Sequence, residues 1–287
     1  MQARVPLNAA DARAHCAAEV RRHDYDRYLC ALFAPRQAQP ALLALCAFNL
    51  ELARIPETVR EPALADLRRL WWREAIDALA GRVDDHPVLV ALSGADRRHQ
   101  LDKAKLAQMI DARDADHREM PPATLDDLEA YARGTSGSLM RLWVNVLESP
   151  DTGMAGAAEA AGTAFALAGL MRAVPFHAAD RRIYLPADLL DNAGIPAADL
   201  FEGRAHAGLG RAVAPVLDRA RTLLAETSAG AKAAPRRVRP ALLPAVLGAL
   251  YLRRLDAAGN DPFSPALAVS PLKRQFSLAR ACWTGRL

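Results

Sequence analysis

Aromatic side chains are scarce in this 287-residue chain, at 6% against 52% hydrophobic residues overall. The apolar content is therefore mostly alanine and leucine, strong helix formers, and not the β-branched and aromatic residues that fill sheets. An all-α fold is expected. Lysine is also rare: only Lys103, Lys105, Lys232 and Lys273 occur among 37 basic residues. The remainder is arginine, whose planar fork suits bidentate contact with phosphate or carboxylate. A net charge of +4 and a pI near 9.0 are mild for this length, so no nucleic-acid partner is expected.

Other absences narrow the class further. The four cysteines, Cys16, Cys30, Cys46 and Cys282, form no Cys-x-x-Cys pair and read as free thiols in a reducing compartment. The longest run without a charged residue, 37–50, has 14 residues, short of the roughly 18 that cross a bilayer, so no transmembrane helix is expected. The first residues lack a signal peptide's apolar stretch, and Asp11 and Glu19 do not suit an organellar presequence, which leaves the cytoplasm as the expected location. There is no Gly-rich phosphate loop, no His-Glu-x-x-His and no Gly-x-Ser-x-Gly elbow. The cluster Asp111, Asp114, Asp116 and His117 has metal-type ligands within two helical turns, but charges on an exposed helix face explain it better.

Apolar residues recur at helical spacing almost throughout, with Pro and Gly punctuating the pattern. Helices are predicted over 9–22, 25–33, 38–55, 62–80, 88–98, 103–118, 124–147, 155–176, 206–228, 240–256 and 266–280. Thr124, with Asp126 and Asp127 behind it, is a predicted N-cap. The segment 182–186 breaks the period and reads as extended. The segment 230–240, with Lys232, Arg236, Arg237 and Arg239, reads as a solvated basic loop. No linker or repeat stands out, so residues 1–287 are read as one domain.

Three regions carry more information together. They are Asp-Tyr-Asp-Arg-Tyr-Leu at 24–29 with Ala-Phe-Asn-Leu-Glu-Leu-Ala-Arg at 47–54; Leu-Glu-Ala-Tyr-Ala-Arg-Gly-Thr-Ser-Gly-Ser at 128–138; and Gly-Leu-Met-Arg-Ala-Val-Pro-Phe-His at 169–177 with Arg-Arg-Ile-Tyr-Leu-Pro at 181–186. At these residues the chain resembles the squalene/phytoene synthase family, enzymes that condense two prenyl diphosphates head to head. The resemblance implies an isoprenoid (prenyl) synthase-type helical bundle around a central cavity. In such enzymes the departing diphosphate is neutralised by Mg²⁺ held between two aspartate-bearing helices, with each pair of carboxylates at i and i+4.

Carried across residue by residue, the first aspartate pair falls on Ala53 and Glu57 and the second on Ala173 and His177, so only Glu57 keeps a carboxylate. The asparagine ahead of the second pair falls on Gly169, whereas Tyr131, Gly137, Arg172, Arg182 and Tyr184 match. One Glu and one His cannot hold a Mg²⁺ cluster, and Glu51, two residues from Ala53, lies on another helix face. No catalytic residue, metal or other cofactor is therefore expected; Mg²⁺ enters only under the alternative of an active prenyltransferase.

The wording of the degenerate motifs is similar to a branch of the family that has lost these aspartates and is implicated in assembling the respiratory NADH dehydrogenase, complex I. This implies a non-catalytic role with complex I subunits or assembly intermediates as partners, and peripheral contact with the inner membrane. Tyr131, Gly137, Arg172, Arg182 and Tyr184 form the candidate pocket, with Arg172 and Arg182 at the mouth of an apolar cavity suited to a single-chain lipid or prenyl ligand. Tyr131 is open to two readings, a ligand contact or a buried tyrosine with a locally satisfied hydroxyl. His177 reads as a helix-end histidine. Adjacent Trp71 and Trp72 cannot both face one core, and the pair is the candidate partner interface.

Overall fold

The computed structural model describes residues 8–59, 61–81, 85–118, 120–147, 153–203, 208–231 and 234–286. Among them the regular structure is helical, without a strand. The α-helices are α1 (Ala9–His23), α2 (Tyr25–Leu32), α3 (Gln39–Thr58), α4 (Pro62–Asp77), α5 (Pro87–His99), α6 (Lys103–Ala112), α7 (Leu125–Ala132), α8 (Ser138–Leu147), α9 (Met154–Arg172), α10 (Val174–Ala179), α11 (Ala187–Ala193), α12 (Ala197–Phe201), α13 (Leu209–Ala231), α14 (Leu243–Ala257) and α15 (Pro271–Thr284).

Their ends follow from local chemistry. Asn8, Asp24, Asp102 and Ser270 each accept from a backbone N–H of the first helical turn, which satisfies donors that have no partner inside the helix. At α7 the predicted Thr124 cap is present as a reciprocal box: Thr124 Oγ1 accepts from the Asp127 N–H, and Asp127 accepts from the Thr124 N–H at 3.0 Å.

Helix α9 is the centre of the bundle. It packs against α7, α8, α13 and α14, and its length and composition would suffice to cross a membrane, although most of that stretch is buried in the protein. On the other flank α1, α3 and α5 pack together. Trp72 of α4 is fully buried and sets its ring edge-on to Phe48, centroids 5.2 Å apart. Cys16, Cys30 and Cys46 are buried free thiols and Cys282 is half-buried. Burial pushes the Cys16 thiol up to about 12 and raises those of Cys30 and Cys46 as well.

Four predicted helices are drawn differently. The stretch 124–147 is interrupted by a π-helical turn at Arg133–Gly137. The stretch 155–176 breaks at Ala173, just ahead of Pro175, which supplies no N–H to the ladder. The stretch 103–118 ends at Ala112 and tightens into a 3₁₀ turn, Arg113–His117, and the last helix begins only at Pro271. The segment 182–186 is non-helical as expected, and it leads into the short helices α11 and α12, which periodicity missed. Of the basic loop, Lys232 lies outside the described residues.

The π-turn exists because two backbones nearly touch. A Cβ on Gly162 of α9 would lie 2.3 Å from the Ser136 carbonyl oxygen, and one on Gly137 would lie 2.7 Å from Thr163 Oγ1. Only glycine permits this approach. The extra residue of the turn brings Thr135 and Ser136 to the cavity described next, a recurrent use of π-turns.

Candidate functional site

A cavity of about 450 Å³ opens between α2 and α3 on one side and α7, the π-turn, α9 and α10 on the other. Three of the four degenerate motif positions line it: Ala53, Ala173 and His177. Glu57 does not. It is exposed at the C-terminal end of α3. Gly169 also lines the cavity, and a Cβ there would meet nothing within 4 Å.

The polar lining is organised around two arginines, the buried Arg27 and the largely covered Arg113. Arg27 donates to Asp24 at 2.7 Å and to Ser136 Oγ at 2.6 Å. Burial works against its charge, but its neighbours together, Asp24 foremost, outweigh that penalty and raise its pKa. Arg113 donates to Asp116 at 3.2 Å, to the Tyr131 hydroxyl at 2.8 Å and to Asn49 Oδ1 at 3.2 Å. Asp116 in turn accepts from Tyr131 at 2.7 Å and from Tyr184 at 2.8 Å. Burial raises the pKa of both phenols, so they stay protonated and serve as donors.

These contacts settle the placement of the predicted pocket residues. Tyr131 lines the cavity, and its hydroxyl is satisfied locally by Asp116. Tyr184 stands behind it, rings 5.5 Å apart, and faces His177 at 4.7 Å. Gly137 is a packing glycine and does not line the cavity. Arg172 stacks on Tyr251, 3.8 Å from the ring centre, and Arg182 donates to the Pro56 carbonyl at 2.7 Å. Neither arginine rims the central cavity. Arg182 instead lines a second cavity of about 390 Å³, to which Asp116, Tyr131 and Tyr184 also contribute. The cations that line the central cavity are Arg27 and Arg113.

Two further expectations change. The cluster 111–117 is not one solvated face: Asp111 pairs with Arg73 and Asp114 with Arg69, while Asp116 is buried. The tryptophan pair does not form an interface together. Trp72 belongs to the core and Trp71 is half-buried under Arg68, 4.8 Å from its ring centre. Exposed apolar surface on α4 comes instead from Leu64, Leu67 and Leu70.

A Mg²⁺ cluster of the kind such folds use does not fit these residues. Methyl groups stand at Ala53 and Ala173, and among the described residues the one carboxylate that lines the cavity, Asp24, is held by Arg27. Among the described residues no group of three His, Cys, Asp or Glu side chains comes together. Arg27, Arg113 and His177 contribute to the lining, and among the described residues the Arg27 Nε, Arg113 Nε and His177 Nδ1 atoms are buried with no hydrogen-bond partner. The lining can receive an anionic or polar head with apolar walls around the rest.

Burial also depresses the pKa of His99, His117 and His177 below their ordinary value of 6.5. The folded protein therefore favours neutral rings while the unfolded chain takes up protons. The contribution of these rings to stability is fully present above about pH 6.5 and is lost as the pH falls below it. Thermal unfolding scans at pH 7.5 and 5.5 should show a lower midpoint at pH 5.5. An unchanged midpoint would contradict the burial of these rings.

Comparison with known proteins gives a consistent picture. The squalene/phytoene synthase family is matched over residues 20–284. The chain is 30% identical over 281 residues to the Bos taurus NADH dehydrogenase (ubiquinone) complex I, assembly factor 6, covering 98% of this chain and 84% of that one. Among solved structures, squalene synthase HpnC from Alicyclobacillus acidocaldarius superposes with a TM-score of 0.77 at 25% identity, covering 90% of this chain and 98% of that one. A dehydrosqualene synthase in complex with ligand reaches 0.82 at 22% identity, covering 95% of each chain.

Proposed function

Because the chain belongs to the squalene/phytoene synthase family, yet has Ala53, Ala173 and His177 lining its cavity at positions onto which the motif resemblance carries the family's aspartates, we propose that it is a non-catalytic member acting in the assembly of respiratory complex I. The observation that carries this reading is the near full-length similarity to complex I assembly factor 6. The cavity chemistry supports it. Ionising an allylic diphosphate needs metal electrostatics that one engaged carboxylate cannot organise; enzymes lower barriers by ~8 kcal/mol or more in all, and for phosphate departure much of that is electrostatic.

The partners in this reading are complex I subunits or assembly intermediates, with the protein in the cytoplasm and peripherally on the inner membrane. The retained cavity takes a single-chain lipid or prenyl group, its head toward Arg27 and Arg113 and its tail along Leu50, Phe165 and Leu170.

Two measurements test the reading together. Deleting the gene should reduce assembled NADH dehydrogenase and leave squalene, carotenoid and hopanoid levels unchanged. Purified protein given farnesyl or geranylgeranyl diphosphate with Mg²⁺ should release no diphosphate above the blank. Mg²⁺-dependent release, or a deletion strain with normal NADH dehydrogenase, would overturn it; the first outcome would instead make the chain a working head-to-head prenyltransferase.

A further inference from the structure

Helix α15 carries two apolar faces where one suffices for packing. At about 100° per residue, Leu278 and Ala281 point into the protein, where both are buried. Roughly opposite, within an arc of about 60°, stand Leu272, Phe276, Ala279 and Trp283. The three large members of this outer stripe are 65%, 73% and 83% exposed. An exposed Phe and Trp aligned on one helix face mark a contact surface.

The charge around the stripe indicates what it contacts. Helix α15 has Lys273, Arg274 and Arg280 and no acidic residue, and Arg286 follows it. Arg274 turns inward to Asp26, at 2.7 Å. Lys273, Arg280 and Arg286 are exposed, and among the described residues no ion pair engages them. Lys273 and Arg280 fall on one border of the apolar stripe. The helix has fixed ends, a Ser270 cap and a left-handed Gly285, and Arg239 braces it by donating to the Cys282 carbonyl at 3.0 Å.

We propose that α15 is a membrane-docking helix that lies in the plane of an anionic bilayer, with Leu272, Phe276 and Trp283 in the headgroup region and Lys273 and Arg280 on anionic lipid. A preformed helix with an aromatic-aliphatic stripe, a basic border and no acid fits such a surface. At 14 residues it is too short to span, since crossing takes roughly 20. The surface deepens the peripheral placement proposed above and is independent of which complex is assembled there.

Co-sedimentation of the full chain with vesicles tests it. Binding to phosphatidylglycerol/phosphatidylcholine vesicles should be at least ~tenfold tighter than to phosphatidylcholine alone, and should weaken with salt. The variant Phe276→Ser/Trp283→Ser should lose at least ~tenfold. Lys273→Gln/Arg280→Gln should lose roughly thirtyfold at low salt, about fivefold per basic residue. Brominated lipid should quench wild-type tryptophan emission and spare Trp283→Phe, a readout that holds even where a double variant folds poorly. Binding indifferent to lipid charge, both double variants bound like wild type, or a Phe276- and Trp283-dependent dimer by light scattering in place of vesicle binding would each overturn the proposal. Vesicle binding with normal complex I in a deletion strain would sink the assembly reading and leave this surface standing.

Discussion

Replacing Asp116 with alanine should destabilise the protein by about 3–5 kcal/mol, the usual cost of removing one partner from a buried ion pair. The carboxylate side chain is 1% exposed and neutralises Arg113, whose own side chain is 12% exposed. It also accepts from the two phenols of Tyr131 and Tyr184. Truncation leaves a buried guanidinium without its counter-charge and two hydroxyls without an acceptor. Asp116→Asn keeps an oxygen for the phenols and loses only the charge, so it should fall between the alanine variant and wild type. Urea unfolding provides the measurement, and the melting point of the alanine variant should drop by roughly 10 °C. A loss under about 1 kcal/mol would mean that the network does not hold Tyr131 against the cavity.

The second large effect is at the crossing of α9 and the π-turn. Gly162→Ala drives a methyl group to 2.3 Å from the Ser136 carbonyl oxygen. Overpacking usually costs about 1–3 kcal/mol, and a clash with backbone has no flexible side chain to absorb it, so a loss of about 3 kcal/mol or more is expected. Gly156 lies in the same helix with nothing within 4 Å of its would-be Cβ. There the same substitution should stabilise by up to about 1 kcal/mol, because alanine is the better helix former. Opposite signs from one chemical change in one helix separate the crossing from helix propensity. Equal signs in denaturant titrations would refute the close approach.

Much of this was legible in the sequence. Apolar spacing located most of the long helices, and the Thr124 cap was readable from four consecutive residues because capping is local chemistry. The motif positions led to the cavity, since Ala53, Ala173, His177 and Tyr131 all line it. What spacing could not supply was pairing at a distance. Arg113 meets Asn49 across 64 residues, and Arg27 meets Ser136 across 109. Nothing local distinguishes Asp116, which is buried, from Asp111 and Asp114, which face outward. The Arg-Gly-Thr-Ser-Gly stretch carries a family match in its sequence, but its π geometry accompanies a close approach to α9, which lies elsewhere in the chain.

The distribution of thiols gives the molecule an internal clock. Cys16, Cys30 and Cys46 sit in α1, α2 and α3, all within the first sixth of the chain, and each is buried with its thiolate form suppressed. Alkylating reagents attack thiolates, so these three sulfurs react only after the helices that cover them part. The half-buried Cys282 on α15 reports a different region. Mass spectrometry of a timed alkylation therefore reads the opening of the amino-terminal helices separately from the release of the carboxy-terminal one, without a single introduced probe.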